Sequence, residues 1–210
     1  MTSSLKKRLS DGLAQLDLPV DEETIGKLIQ FVTLLDKWNK VYNLSAIRDP
    51  EQMVDLHLLD SLAVTPFLSG NNFLDVGTGA GLPGIPLALV CPDQHFVLLD
   101  SNGKKTRFIQ QAVLELGLKN VVIIHSRVED FHPTELFDAI ISRAFASLSD
   151  MLAGTAHLAV KGGLLLAMKG RLNEQEQGAL PEEVQIEEVI ELTVPGVDAE
   201  RCLVKVRLPA

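Results

Sequence analysis

The sequence predicts an α/β fold: a mostly parallel sheet covered by helices on both faces, ended by a C-terminal antiparallel hairpin and preceded by a helical cap. Three observations predict it. From Asn72 onward, short apolar runs alternate with helix-period stretches, the pattern of strands buried on both faces of a parallel sheet. Up to Leu68 the periodicity is helical throughout. Between the two lies Phe73-Leu-Asp-Val-Gly-Thr-Gly-Ala-Gly-Leu-Pro-Gly84, a buried strand running into a glycine turn. At 210 residues the chain is long enough for one core of about 150 residues plus an extension. The division expected is a cap over residues 1–68 and an α/β domain over 69–210, in one compact unit.

The cap begins with a short helix from Leu5 to Leu16. Asp21-Glu22-Glu23 then puts acids where a helix N-terminus favours them. Ile25, Leu28, Ile29, Val32 and Leu35 recur at helical spacing, Trp38 and Tyr42 extend that face, and Asn43 is a stop. A third helix follows Asp49-Pro50, with Met53, Leu56, Leu59 and Leu62 on one stripe. The strands expected are Phe73–Val76, Phe96–Leu99, Val121–Ile124, Phe137–Ile141 and Leu164–Met168. Helices at Ile85–Val90, Lys104–Leu116 and Leu148–Val160 lie between them, and Pro83 suits a first helical position. Val184–Val194 and Arg201–Leu208, joined by Pro195-Gly-Val-Asp198, make the hairpin.

A net charge of −9 argues against non-specific coating of nucleic acid, but a focal basic patch stays open. With 46% hydrophobic residues the chain is a folded globular protein. Its apolar runs are too short to cross a bilayer, and the first residues lack a secretion signal, so a cytoplasmic protein without membrane attachment is expected. Cys91 and Cys202 read as buried thiols, and no metal site is expected, since His125 and His132 stand apart.

Ligands of open parallel sheets sit beyond the carboxyl ends of the strands. Gly79-x-Gly81-x-x-Gly84 fits a dinucleotide spacing, yet Asp75 stands where a pyrophosphate would gather and would repel it. An ammonium would welcome that carboxylate, and S-adenosylmethionine, which carries an ammonium and a sulfonium, fits. After the second strand Asp100, 19 residues past Gly81, suits an acceptor for both ribose hydroxyls; the alternative is a helix N-cap. After the third, Val128 and an acid or backbone group of the 127–130 segment suit an adenine, against a solvated loop. After the fourth, Ser142-Arg143-Ala144-Phe145 lies where the acceptor would react. An arginine there is costly unless it is paired or faces a ligand.

Taken together, Asp75-x-Gly77-x-Gly79-x-Gly81 and Asp100 are similar to the S-adenosylmethionine site of Rossmann-like methyltransferases. Further stretches resemble the RsmG family, also called glucose-inhibited division protein B. They are Trp38-Asn-Lys-Val-Tyr-Asn-Leu44, His57-Leu-Leu-Asp-Ser61, Asp75 to Pro86, Leu98-Leu-Asp-Ser101, Ser126-Arg-Val-Glu129 and Ile141-Ser-Arg-Ala-Phe-Ala-Ser147. The resemblance covers most of the chain, and it departs at Ala80, where many members have proline; a slightly looser turn is expected there. It implies methyl transfer from S-adenosylmethionine to N7 of a guanine, at position 527 of 16S ribosomal RNA. It also implies cofactor contacts at Gly77, Leu82, Val128, Glu129 and Arg143, to which the fold logic adds Asp75 and Gly79 in the turn and Asp100.

Guanine N7 already carries an in-plane lone pair, so a general base is unnecessary and in-line positioning suffices. The Asn/Asp-Pro-Pro-aromatic signature of exocyclic amine methylation and the cysteine nucleophile of pyrimidine C5 methylation are both missing after the fourth strand. Arg143 is expected to orient cofactor, base or a phosphate. Phe145 either stacks on guanine or packs in the core. Arg48, Lys104, Lys105, Arg107, Lys169 and Arg171 are the candidate RNA contacts, each against a solvated alternative. His57, Asp60 and Ser61 fold over the site or support its walls, and helix packing is the leading reading for Asp60 and Ser61. The expected partner is 16S rRNA, naked or within 30S particles, for a monomeric enzyme. Three rivals remain: an NAD(P)-dependent oxidoreductase, a non-catalytic cofactor-binding assembly factor, and a methyltransferase of another acceptor.

Overall fold

The structure is a computed structural model that describes residues 2–178, 180–182 and 184–209. Its strands are β1 (Asn72–Val76), β2 (His95–Asp100), β3 (Val121–His125), β4 (Phe137–Ser142), β5 (Ala159–Lys169), β6 (Gln185–Glu191) and β7 (Cys202–Arg207). Among the described residues they form one sheet in the order β3-β2-β1-β4-β5-β7-β6. The first five strands are parallel; β7 is antiparallel to both β5 and β6. The expected hairpin is therefore present, with its second strand inserted against β5. Composition accounts for that choice: Leu203, Val204 and Val206 are buried and must lie inside, whereas β6 is mostly exposed and suits an edge.

The order reverses between β1 and β4, so the carboxyl ends of these two strands flank the crevice where such sheets bind ligands. Alternation along β1 divides the core. Phe73 joins the cap side, stacked on Phe96 with ring centroids 5.2 Å apart, while Leu74 and Val76 join the opposite face.

The cap comprises α1 (Thr2–Gln15), α2 (Glu22–Tyr42), α3 (Pro50–Met53) and α4 (Asp60–Leu62). Asp21 caps α2 by accepting from Thr24 N at 2.7 Å, and Asn43 ends it in the left-handed conformation at φ 52°. The expected third helix is interrupted: a π-helical turn, Val54–Leu59, separates α3 from α4. Such a turn widens the backbone spiral and often marks a functional site. Buried Leu9, Leu28, Leu35 and Leu58 merge the cap with one face of the sheet. Phe108 of the covering helix α6 (Gly103–Leu116) packs edge-on against Trp38, 5.7 Å away.

Helix α5 (Gly84–Val90) follows the glycine turn, with Pro83 in the N-cap position, one residue before the expected place. Helix α7 (Leu148–Thr155) ends sooner than its periodicity suggests, because a 3-10 turn over Ala156–Leu158 leads into the long strand β5. Helix α8 (Glu174–Gln177) is one turn between β5 and β6.

Candidate active site

The glycine turn is held by backbone and by one acid. Gly77 N and Thr78 N both donate to Leu99 O, at 2.8 and 3.1 Å, joining the end of β1 to the end of β2. Gly77 has φ +68°, and a Cβ there would lie 2.6 Å from the Ala144 Cβ, so the loop after β4 requires glycine beneath it. Asp75 is fully buried. Its Oδ2 accepts from Thr78 Oγ1 at 2.6 Å and from Gly84 N at 2.8 Å, stapling the turn to the start of α5. Its Oδ1 has no hydrogen-bond partner among the described residues. Burial raises the Asp75 pKa to about 7, against the opposing hydrogen bonds from Thr78 and Gly84. Ala80 is itself buried in the cap-side core, and the turn closes normally, with Gly81 N and Leu82 N donating to Thr78 O at 3.0 and 2.8 Å.

Asp100 is presented by the end of β2. Its Oδ2 accepts from Gly79 N and its Oδ1 from Asn102 N, both at 2.8 Å. The N-cap of α6 is Asn102, whose side chain accepts from Lys104 N at 3.0 Å. Asp100 is thereby free of the capping task. It lines an open groove of about 350 Å³ with Gly77, Lys105, Val128, Glu129 and Ala144. The structure thus gathers Gly77, Asp100, Val128 and Glu129, with Gly79 at φ +64° alongside. Leu82 does not join them, since its side chain is in the cap-side core. Val128 and Glu129 belong to a 3-10 turn after β3, and Arg127 stands 3.7 Å from the Glu129 carboxylate.

Arg143, just past β4, reaches the cap. Its Nη1 lies 3.2 Å from Asp60 Oδ2, and its Nη2 donates to Leu56 O at 3.5 Å. The other oxygen of Asp60 accepts from Arg201 Nε at 2.8 Å. Beside them His57 Nε2 is 2.7 Å from Ser45 Oγ, on a loop that the buried Asn39 side chain holds through Ser45 N and Ile47 O. Burial, reinforced by the Arg143 charge, lowers the His57 pKa to about 4, so the ring is neutral. Ser61 is buried with its hydroxyl unpartnered among the described residues. Phe145 is half-buried and packed in the core on the opposite face from the cap.

The basic candidates separate. Lys104 and Arg107 are exposed on the first turns of α6, and Lys105 is half-buried at the groove. Arg48 instead binds the end of α2, through Asn39 O at 3.3 Å and Asn43 Oδ1 at 2.5 Å. Lys169 is drawn inward: its Nζ lies 2.5 Å from Glu176 Oε1 and donates to Ala146 O at 2.9 Å. Arg171 is exposed near the hairpin, 3.9 Å from Glu200. Sequence reasoning missed Thr78, Ser45 and Arg201. Thr78 carried a local signal, a hydroxyl three residues after Asp75; Arg201 carried none, being 141 residues from its partner.

Among the described residues no group of three His, Cys, Asp or Glu side chains could hold a metal ion. No helix of the described residues is long and apolar enough to cross a membrane.

The sheet order, the stapled glycine turn and the acids at the ends of β1 and β2 define a Rossmann-like methyltransferase. Solved structures share the fold. The magnesium protoporphyrin IX methyltransferase of Synechocystis PCC 6803, solved with bound SAM, superposes with a TM-score of 0.61 at 16% identity, covering 90% of this chain and 98% of that one. The N-methyltransferase NodS of Bradyrhizobium japonicum WM9, in complex with S-adenosyl-l-homocysteine, gives 0.58 at 17% identity, covering 83% and 100%. The family described as rRNA small subunit methyltransferase G matches residues 24–204, and the chain belongs to that family. Relatives named ribosomal RNA small subunit methyltransferase G are 52% identical in Shewanella amazonensis, over 96% of this chain and 98% of the relative. In Psychromonas ingrahamii the identity is also 52%, over 97% and 99%. The protein is an S-adenosylmethionine-dependent methyltransferase.

Proposed function

We propose that the protein methylates N7 of a guanine in 16S ribosomal RNA, at position 527, and that it acts as a cytoplasmic monomer on RNA already assembled into 30S particles. When bound, S-adenosylmethionine supplies an electrophilic methyl group on a sulfonium. The residues present fit that group. The buried Asp75 carboxylate has one oxygen without a hydrogen-bond partner among the described residues, which suits the ammonium. Gly77 and Gly79 leave bare backbone at the groove, and Asp100 is held by two amide N–H groups with lone pairs left for the ribose hydroxyls. Val128 and Glu129 line the far end of the same groove, where an adenine would lie.

The observation that carries the acceptor reading is the segment after β4. Ser142 turns inward, its Oγ donating to Val76 O at 2.7 Å and accepting from Ala144 N at 3.0 Å, so it is occupied structurally. The Arg143 guanidinium offers donors and no acceptor, and His57 has both ring nitrogens engaged, Nδ1 with Leu56 O at 3.1 Å and Nε2 with Ser45 Oγ at 2.7 Å. A nucleophile that must lose a proton would want a base at this place; guanine N7 does not. Arg143 then orients the base or a phosphate, and the enzyme works by alignment. Lys104, Lys105 and Arg107, on the first turns of α6 beside the groove, offer cations for the RNA backbone. Few such contacts in an acidic protein imply modest affinity and strong salt dependence for free RNA.

Mapping 7-methylguanine in 16S rRNA from cells with and without the gene tests the acceptor. Loss of the modification at one guanine in the deletion is expected, and its persistence would overturn the reading. Faster methylation of 30S particles than of bare 16S rRNA is expected, and equal rates would remove the particle from the proposal.

A further inference from the structure

Asp60 lies on the cap, yet both its carboxylate oxygens are spent on residues of the sheet domain. Oδ2 faces Arg143 Nη1 at 3.2 Å and Oδ1 takes Arg201 Nε at 2.8 Å. The side chain of Asp60 is only 4% exposed, while the two arginines are 29% and 26% exposed. A carboxylate this deep binds its cations with little screening, unlike a surface pair. The two guanidinium groups approach one acid from different segments, the loop after β4 and the residue just before β7. Without that acid they would repel one another.

The position of this bridge gives it meaning. Arg143, Asp60, Arg201, Met168, Lys169 and Cys202 line a small cavity of about 120 Å³ just beyond the carboxyl ends of β4 and β5. The Nη1 group of Arg143 is buried and, beyond its ion pair with Asp60, has no hydrogen-bond partner among the described residues, so donor capacity is left. Arg143 follows the end of β4 and its guanidinium reaches Asp60 and Leu56 O, so it joins the strand end beside the glycine turn to the cap. The π-helical turn widens the helix just ahead of Asp60, and the carbonyl of Leu56 within it accepts the second Arg143 contact.

We infer that Asp60 is a positioning residue for Arg143, and that Arg201 locks Asp60 in place, so that the cap and the hairpin jointly aim the Arg143 guanidinium at the acceptor. Helix packing alone does not require this arrangement: an apolar residue at position 60 would pack, but would leave Arg143 free to swing toward solvent. The inference rests on the acceptor reading above only for its activity readout.

The test is a double-mutant cycle on methyl transfer to 16S rRNA in 30S particles, with kcat and KM measured separately. Asp60→Asn is expected to lower kcat about 10- to 100-fold, the scale of losing alignment by an ångström, with Asp60→Glu recovering part of it. The pair Asp60→Asn with Arg143→Gln should be no slower than Arg143→Gln alone. Losses that multiply, or an Asp60→Asn variant with wild-type kcat, would overturn the inference. Should Asp60→Asn fail to fold, Arg201→Gln keeps the Asp60–Arg143 pair but unlocks it; a several-fold fall in kcat is expected, and an unchanged kcat counts against the role of Arg201 and the inference. Independently of activity, nitrogen NMR of the guanidinium groups should show two slowly exchanging arginine signals, assigned by Arg143→Gln and Arg201→Gln. Both should broaden in Asp60→Asn or, if that variant is unfolded, the Arg143 signal should broaden in Arg201→Gln. A wild-type protein inactive on 16S rRNA would sink the acceptor reading, and the NMR result would then decide the bridge alone.

Discussion

Replacing Asp75 by Asn tests the link between the buried carboxylate and the cofactor. Burial raises the pKa of Asp75 to about 7 in the free protein, and the proposed contact with the cofactor ammonium requires the ionised form. On that proposal, binding below pH 7 releases a proton. A group titrating near 7 is about nine-tenths protonated at pH 6, so the affinity for S-adenosylhomocysteine should be about tenfold weaker at pH 6 than at pH 8. The Asn variant keeps the shape of the staple but loses the charge. A hydrogen bond to a charged group contributes about 1.5–3 kcal/mol, so binding at pH 8 should weaken by about 10- to 150-fold, and the dependence between pH 6 and 8 should flatten. The stability of the ligand-free protein moves oppositely. An acid whose folded pKa lies above its unfolded value of 3.8 favours the folded state less as pH rises from about 4 through about 7. The Asn variant should therefore lose that component of the pH dependence. Isothermal titration calorimetry at both pH values, in buffers of different ionisation enthalpy, reads affinity and proton release together. A wild-type affinity that is flat from pH 6 to 8, or an Asn variant that binds like the wild type, refutes the reasoning.

Three further outcomes are expected. Gly77→Ala should lose cofactor binding and destabilise the fold by about 1–3 kcal/mol, because its positive φ and the Ala144 Cβ only 2.6 Å away leave no place for a methyl group; a denaturant midpoint equal to the wild type would contradict this. His57 should stay neutral in an NMR titration down to about pH 5. Because its folded pKa of about 4 lies below the unfolded 6.5, stability should fall as the pH drops from 6.5 toward 4; a ring that titrates near 6.5 counts against the buried Ser45 contact. Replacing Lys104 and Arg107, which are exposed and do not line the groove, together by Ala should weaken RNA binding and flatten its salt dependence while leaving S-adenosylhomocysteine affinity within a few-fold; an unchanged salt slope would move the RNA contact elsewhere.

The local parts of this protein were legible in the sequence. Phe73 to Gly84 could be read as strand, turn and helix because glycines tolerate the positive φ found at Gly77, Gly79 and Gly81 and the close approach found at Gly77 and Gly81. Asp100 could be placed from its spacing, since the strand and the turn fix how far along the chain a second acid reaches the groove. Apolar periodicity gave the strand and helix positions to within a few residues. It missed the end of α7 and the π-helical turn, where tertiary packing overrides a local pattern.

Other features were decided only when the chain closed on itself. The insertion of β7 between β5 and β6 depends on which strand of the hairpin buries more apolar surface. Lys169 looked available for RNA, but Glu176 on α8 claims it. Asp60 looked like a packing residue of the cap, and its two arginine partners come from 83 and 141 residues further along the chain. The sequence by itself determined the fold class, the glycine turn and the family, because each rests on contacts between near neighbours or on patterns that recur along the chain. The tertiary structure decided which charges face the site and which are already paired, because ion pairing depends on distance in space, and residues far apart in sequence carry no sign of it.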